Sequence, residues 1–172
     1  MQKNVYFIGP RASGKTSIGR EVARKLGREF VDTDDLVVEA KGMSIAEYVE
    51  SRGWEAFRDA EEAVLEELGH RENMVVACGG GVVMRAHNRE ILARGTVVYL
   101  KVKPEILAAR LARDPQAAQR PSLTGRSIDE EVRQVLAERQ SLYLACANLV
   151  VRDRESITDE VDQIIKEINK FR

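Results

Sequence analysis

Residues 9 to 16 read Gly9-Pro10-Arg11-Ala12-Ser13-Gly14-Lys15-Thr16, the spacing G-x-x-x-x-G-K-[ST]. The apolar run Val5-Tyr6-Phe7-Ile8 leads into it, and an amphipathic stretch carrying Ile18, Val22 and Leu26 on one face leads out. A buried strand must therefore turn into a helix through a glycine-rich loop, which is the context this phosphate-binding loop, the P-loop, requires. Backbone N–H groups of such a loop wrap phosphate oxygens, helped by the positive end of the helix that follows. The lysine of the motif reaches the β- and γ-phosphates and its hydroxyl residue ligates Mg²⁺. This reading gives a nucleotide-binding role to Gly9, Pro10, Arg11, Ala12, Ser13, Gly14, Lys15, Thr16 and the adjoining Ser17, with Lys15 also catalytic and Thr16 also on the metal.

The rest of the chain repeats the alternation of strand and helix. Strand-like runs are expected at Val5–Ile8, Glu29–Asp32, Met74–Ala77, Thr96–Val102 and Leu149–Val151. Several are continuously apolar, as strands buried on both faces of a parallel sheet are. Helical patterns are expected over Lys15–Leu26 with Gly27 as the stop, Ile45–Ser51 behind a Ser44/Glu47 capping box, and Ala56–Leu68. Others run from Pro104 through Leu111, from Ile128 to Cys146 behind a Ser127/Glu130 box, and along Ile157, Val161, Ile164, Ile165 and Ile168. The 172 residues read as one α/β domain, residues 1–172, without repeat or linker. Residues 33–61 add short helices, and residues 113–126 are a polar, Pro- and Arg-containing connection that reads as a lid.

With 27 basic against 28 acidic residues the net charge is −1, which gives no pull toward nucleic acid or anionic membrane. No apolar run is long enough to span a bilayer and no leader is visible. Cys78 and Cys146 form no C-x-x-C pair and read as free thiols, Cys78 buried. A cytoplasmic protein is expected, with small molecules as partners.

Three groups of residues could carry chemistry beside the P-loop. Asp32, Asp34 and Asp35 lie at the end of the second strand, and open α/β folds bind ligands at the carboxyl ends of their strands. Asp32 and Asp34 are read as functional, one holding Mg²⁺ through water and one handling an acceptor hydroxyl; Asp35 is read as a turn or helix N-cap. Gly79-Gly80-Gly81 follows the third strand and permits close backbone approach to a ligand with N–H groups as donors. Arg58, Arg120 and Arg139 have the fork that binds carboxylate or phosphate, but their spacing alone does not separate them from solvated surface arginines. Trp54 reads as packing, and His70 and His87 as surface residues without metal-ligand spacing.

The P-loop, Asp32-Thr33-Asp34, Phe57-Arg58, the three glycines, Arg120-Pro121 and Arg139, in this order, resemble the shikimate kinase family over essentially the whole chain. The resemblance implies a three-layer P-loop kinase fold with a five-stranded parallel sheet in the order 2-3-1-4-5. It implies γ-phosphoryl transfer from MgATP to the 3-hydroxyl of shikimate; separately, a monomer is expected. It further implies that Asp34 binds the acceptor hydroxyls and polarises the attacking one. Arg58 and Arg139 would grip the carboxylate, with Gly79, Gly80 and Gly81 lining the ring. Asp32 would be the outer-shell magnesium residue beside Thr16. Arg120 would reach the transferring phosphate as a catalytic and nucleotide-side residue, and Arg113 and Arg154 would lie on the adenine side.

Two departures stand out: Ala12 where this family usually has glycine, and Ser122 where leucine often follows Arg-Pro. If residue 12 needs a positive φ, alanine costs about 1 kcal/mol there. A gluconate kinase, a nucleoside-monophosphate kinase and a non-catalytic nucleotide-binding module remain alternative readings.

Overall fold

The computed structural model describes residues 2–114 and 121–171. Its elements are β1 (Val5–Ile8), α1 (Lys15–Leu26), β2 (Glu29–Asp32), α2 (Thr33–Lys41), α3 (Ile45–Gly69) and β3 (Met74–Ala77). A 3₁₀ turn (Val82–Met84), α4 (Ala86–Leu92), β4 (Thr96–Lys101) and α5 (Pro104–Arg113) follow, then α6 (Ile128–Cys146), β5 (Leu149–Arg152) and α7 (Ile157–Ile168). The five strands pair in parallel in the order β2-β3-β1-β4-β5.

Alternation along the strands divides the core in two. Val5, Phe7, Val98 and Leu100 face α1 and α7, where they meet Ile18, Val22, Val161 and Ile164. Tyr6, Ile8, Val97 and Tyr99 point the other way, against Leu65, Leu68, Ile91 and Tyr143 of α3, α4 and α6. Both faces of the sheet are thus covered, and the ligand-binding positions are left at the carboxyl ends of the strands. No helix among the described residues is long and apolar enough to cross a membrane.

The expected elements appear with shifts that have local causes. Gly27 ends α1 at φ 64°, its N–H bonding back into the last turn. The two helices expected over 45–68 are both present within α3: Gly53, at φ 86° and ψ 169°, is not helical and joins them at a kink that glycine adopts readily. The Ser44/Glu47 capping box forms in full, and Ser127 accepts from the Glu130 N–H. Asp35 is not a cap: it sits in the first turn of α2, and Asp32 is the N-cap, accepting from Asp34 N at 2.9 Å. The extended backbone of Asp32 (φ −113°, ψ 125°) makes the last strand residue also the first cap, so no spare turn separates the two elements. Residues 82–92 add a 3₁₀ turn and a short helix beyond the expected elements.

Candidate functional site

The P-loop leaves β1 at Gly9 (φ 146°) and enters α1 at Gly14 (φ 95°), two backbone states that suit glycine. Ala12 lies between them at φ 65°, in the left-handed region, so the conditional cost stated for alanine applies. The Lys15 ammonium donates to the carbonyls of Gly9 at 2.6 Å and Pro10 at 2.7 Å, which places its charge over the start of the loop. Thr16 donates its hydroxyl to Asp32 Oδ2 at 2.8 Å. One hydroxyl and one carboxylate thus stand together at the loop's edge. Among the described residues no group of three or more His, Cys, Asp or Glu is assembled to hold a metal. A sparse, all-oxygen donor pair fits Mg²⁺, which keeps most of its waters and takes other ligands from phosphates.

Two adjoining cavities open here. One, of about 470 Å³, is lined by residues Arg11–Ser17 together with Asp32, Asp34, Gly79 and Gly80. The other, of about 50 Å³, is lined by Asp34, Trp54, Phe57, Arg58, Glu61, the three glycines, Leu123 and Arg139. Arg11, Asp34, Gly79 and Gly80 line both, so the Asp34 carboxylate stands at the junction.

The smaller cavity is built around two arginines. Arg58 packs over the rings of Trp54 and Phe57, 5.6 and 5.4 Å from their centroids, and pairs with Glu61 Oε1 at 2.9 Å. Arg139 reaches in from α6 and is only 8% exposed. Glu61 is 1% exposed and was not singled out from the sequence. Burial pushes its carboxyl pKa up and Asp34 adds to this, while Arg58 and Arg139 pull it down; the net direction is upward. Glu61 Oε2 and Arg139 Nε in this cavity, and Ser13 Oγ in the larger one, are buried with no hydrogen-bond partner among the described residues. Buried polar atoms left unmatched by protein mark places where a polar ligand completes the bonding.

The three glycines serve space rather than unusual backbone angles. A methyl on Gly79 would overlap Glu61 Oε2 and approach Asp34 Oδ1 within 2.9 Å, and one on Gly81 would overlap the Arg58 guanidinium. The expectation that this turn offers its N–H groups to a ligand needs correction at Gly79, whose N–H donates to the buried Thr33 hydroxyl at 3.0 Å. That bond ties the turn to the start of α2. Tyr143 of α6 donates its hydroxyl to Gly80 O, tying Arg139's helix to the same turn.

Arg113 and Arg154 line neither cavity. Arg113 ends α5 and Arg154 follows β5, both exposed, with Arg154 N held by Glu160 Oε1. Arg120 lies outside the described residues. Ser122 bonds rather than packs: its hydroxyl donates to Glu131 Oε1 at 2.8 Å, an oxygen that also accepts from Leu123 N and Thr124 N. Burial opposes ionisation of Glu131, but these hydrogen bonds outweigh it and lower its pKa. Cys78 and Cys146 are free thiols, Cys78 fully buried with its pKa pushed up by desolvation. His70 and His87 are surface residues paired with Glu66.

A P-loop and a second cavity that share a carboxylate describe many kinases, and a pair of arginines lining the second cavity narrows the set. Comparison with known proteins narrows it further. A family profile described as shikimate kinase matches residues 11–169. A shikimate kinase of Nitratidesulfovibrio vulgaris is 47% identical over 161 residues, covering 93% of this chain and 92% of its own. Shikimate kinase 2 of Dickeya chrysanthemi is 48% identical over 152 residues, covering 88% and 87%. The solved structure of shikimate kinase from Acinetobacter baumannii in complex with shikimate superposes with a TM-score of 0.93 at 35% identity, covering 100% of this chain and 96% of that one. With profile, relatives and fold in agreement over nearly its full length, the chain belongs to the shikimate kinase family of ATP-dependent phosphotransferases.

Proposed function

We propose that this single domain, residues 1–172, binds MgATP in the larger cavity and shikimate in the smaller one. It transfers the γ-phosphoryl group to the shikimate 3-hydroxyl, giving shikimate 3-phosphate and ADP. The observation that carries this reading is the shared lining at Arg11, Asp34, Gly79 and Gly80, which brings an acceptor hydroxyl and a terminal phosphate to one carboxylate.

Phosphoryl transfer needs positioning and charge neutralisation more than covalent help. The P-loop N–H groups and Lys15 hold the phosphates, and Thr16 with Asp32 would hold Mg²⁺. Mg²⁺, when bound, neutralises charge on the β- and γ-phosphate oxygens. Arg58 and Arg139 take the shikimate carboxylate, and the Gly79–Gly81 turn lies along the ring. Asp34 accepts a hydrogen bond from the 3-hydroxyl and takes its proton as the new O–P bond forms; the electron pair of the broken P–O bond leaves with ADP. Arg113, Arg120 and Arg154 are kept on the nucleotide side by the resemblance alone. Both cavities are built from one chain, which supports a monomer, and a cytoplasmic setting suits two free thiols.

A shikimate- and ADP-soaked crystal tests the geometry. The carboxylate is expected between Arg58 and Arg139 with a ring hydroxyl on Asp34. A carboxylate facing the P-loop would reverse the assignment. Gly81→Ala gives a kinetic check, because its methyl must push the Arg58 guanidinium aside. Shikimate KM is expected to rise roughly tenfold or more, since small misplacements at such sites are costly. ATP KM should stay within about twofold. An unchanged shikimate KM would remove Arg58 from the acceptor site.

A further inference from the structure

Arg110, on α5, has no part in the roles above, yet it joins three segments that the proposed function places around ATP. Its Nη1 donates to the carbonyl of Ala12, in the P-loop, at 3.1 Å. Its Nη2 pairs with Asp153 Oδ1, just after β5, at 2.7 Å. Asp153 is itself fixed, with a side chain 17% exposed and its N–H donating to Lys101 O at 3.2 Å. Arg110 also lies one turn before Arg113, where α5 ends.

The residue it holds is the strained one. Ala12 sits at φ 65°, a conformation that an alanine occupies only when its surroundings enforce it. A loop that cradles phosphate depends on such left-handed residues, because they turn successive N–H groups into one concave face. A guanidinium is well shaped to enforce it, since its planar fork reaches two acceptors at once, one on the loop and one on the anchor.

We propose that Arg110 is a positioning residue for the nucleotide: it holds the P-loop in its phosphate-cradling shape by gripping the Ala12 carbonyl, with Asp153 as its anchor. The proposal rests on the reading of the larger cavity as the nucleotide site.

The test is isothermal titration of ADP with magnesium into wild type, Arg110→Ala, Arg110→Lys, Ala12→Gly and the Arg110→Ala/Ala12→Gly pair, with steady-state KM values for ATP and acceptor. Arg110→Ala is expected to weaken ADP about tenfold, the lower range for a lost charge-assisted bond at a partly exposed site, with acceptor KM unchanged. Arg110→Lys should recover part of the loss, since an ammonium reaches one acceptor well but does not span both. In the Ala12→Gly background the same arginine loss should cost about threefold or less, because glycine needs no enforcement at positive φ. If Arg110→Ala does not fold, Asp153→Asn replaces it, with a loss of roughly threefold expected from the weakened anchor. Equal losses in the wild-type and Ala12→Gly backgrounds, a parallel rise in acceptor KM, or a lowered thermal midpoint with unchanged ADP affinity would each overturn the proposal. Failure of the wild type to bind ADP would instead overturn the nucleotide-site reading beneath it.

Discussion

Lys15→Ala is expected to leave a folded protein with almost no turnover. The Lys15 side chain bonds to the carbonyls of Gly9 and Pro10 at the surface of the loop, not to either hydrophobic core. Its removal therefore takes away a charge from the phosphate cradle while the sheet and its two helix layers stay in place. Removing a single preorganised donor from a transition state costs about 10²–10³ in kcat, and a full positive charge directed at the transferred group belongs at or beyond the upper end. The checks are kcat with saturating ATP and acceptor, and a circular dichroism melt. A thermal midpoint within a few degrees of wild type and a kcat loss of about 10³ or more are expected. A kcat near wild type would contradict the P-loop reading.

The second large effect belongs to the arginine pair, and its two members should behave differently. Arg139→Ala removes a guanidinium that is 8% exposed and whose Nε has no hydrogen-bond partner among the described residues. Arg58 keeps its ion pair with buried Glu61 in this variant, so the loss should appear mainly in shikimate KM, by roughly 10–100-fold for hydrogen bonds to a charged group. Arg58→Ala should raise shikimate KM similarly, and it should also lower the thermal midpoint. Arg58 is the ion-pair partner of Glu61, which is 1% exposed, and a buried carboxylate that loses its partner is strongly destabilising. ATP KM should change by less than about twofold in both variants, because neither residue lines the P-loop cavity. Steady-state kinetics with each substrate varied in turn, alongside melting curves, separates the two patterns. Equal rises in ATP KM would remove both residues from the acceptor site.

The architecture was legible because its signals are local. The strands Val5–Ile8, Glu29–Asp32, Met74–Ala77, Thr96–Lys101 and Leu149–Arg152 begin and end within one residue of their expected limits, since buried strands read as apolar runs. The P-loop is contiguous and needs no tertiary knowledge. Of the proposed acceptor site, Asp34 and the three glycines were legible from their place after strands, whereas Arg58 and Arg139 were assigned only through the resemblance to a family, although the sequence does hold a subtler signal. Glu61 falls within the apolar stripe Phe57, Val64, Leu65 and Leu68 of α3. Arg139 falls within the stripe Val132, Leu136 and Tyr143 of α6. A charge inside an apolar stripe must be buried and matched, which distinguishes it from a solvated neighbour. Contacts between distant segments carry no such mark. The Arg110–Ala12 bond spans 98 positions, and the Tyr143–Gly80 bond spans 63. The hydrogen bond that occupies Gly79 N–H likewise depends on a threonine on another element.

If the Asp34 carboxylate serves both an acceptor held by Arg58 and Arg139 and a phosphate held by the P-loop, turnover must depend on an acceptor that presents shikimate's carboxylate and hydroxyls. ADP release from MgATP by the purified protein, with shikimate, gluconate, CMP, AMP or no acceptor, measures that dependence. Release that depends on shikimate and stays at the no-acceptor rate with the other three is the predicted result. Equal release with gluconate or a nucleoside monophosphate, or ATP binding without turnover on any acceptor, would contradict it.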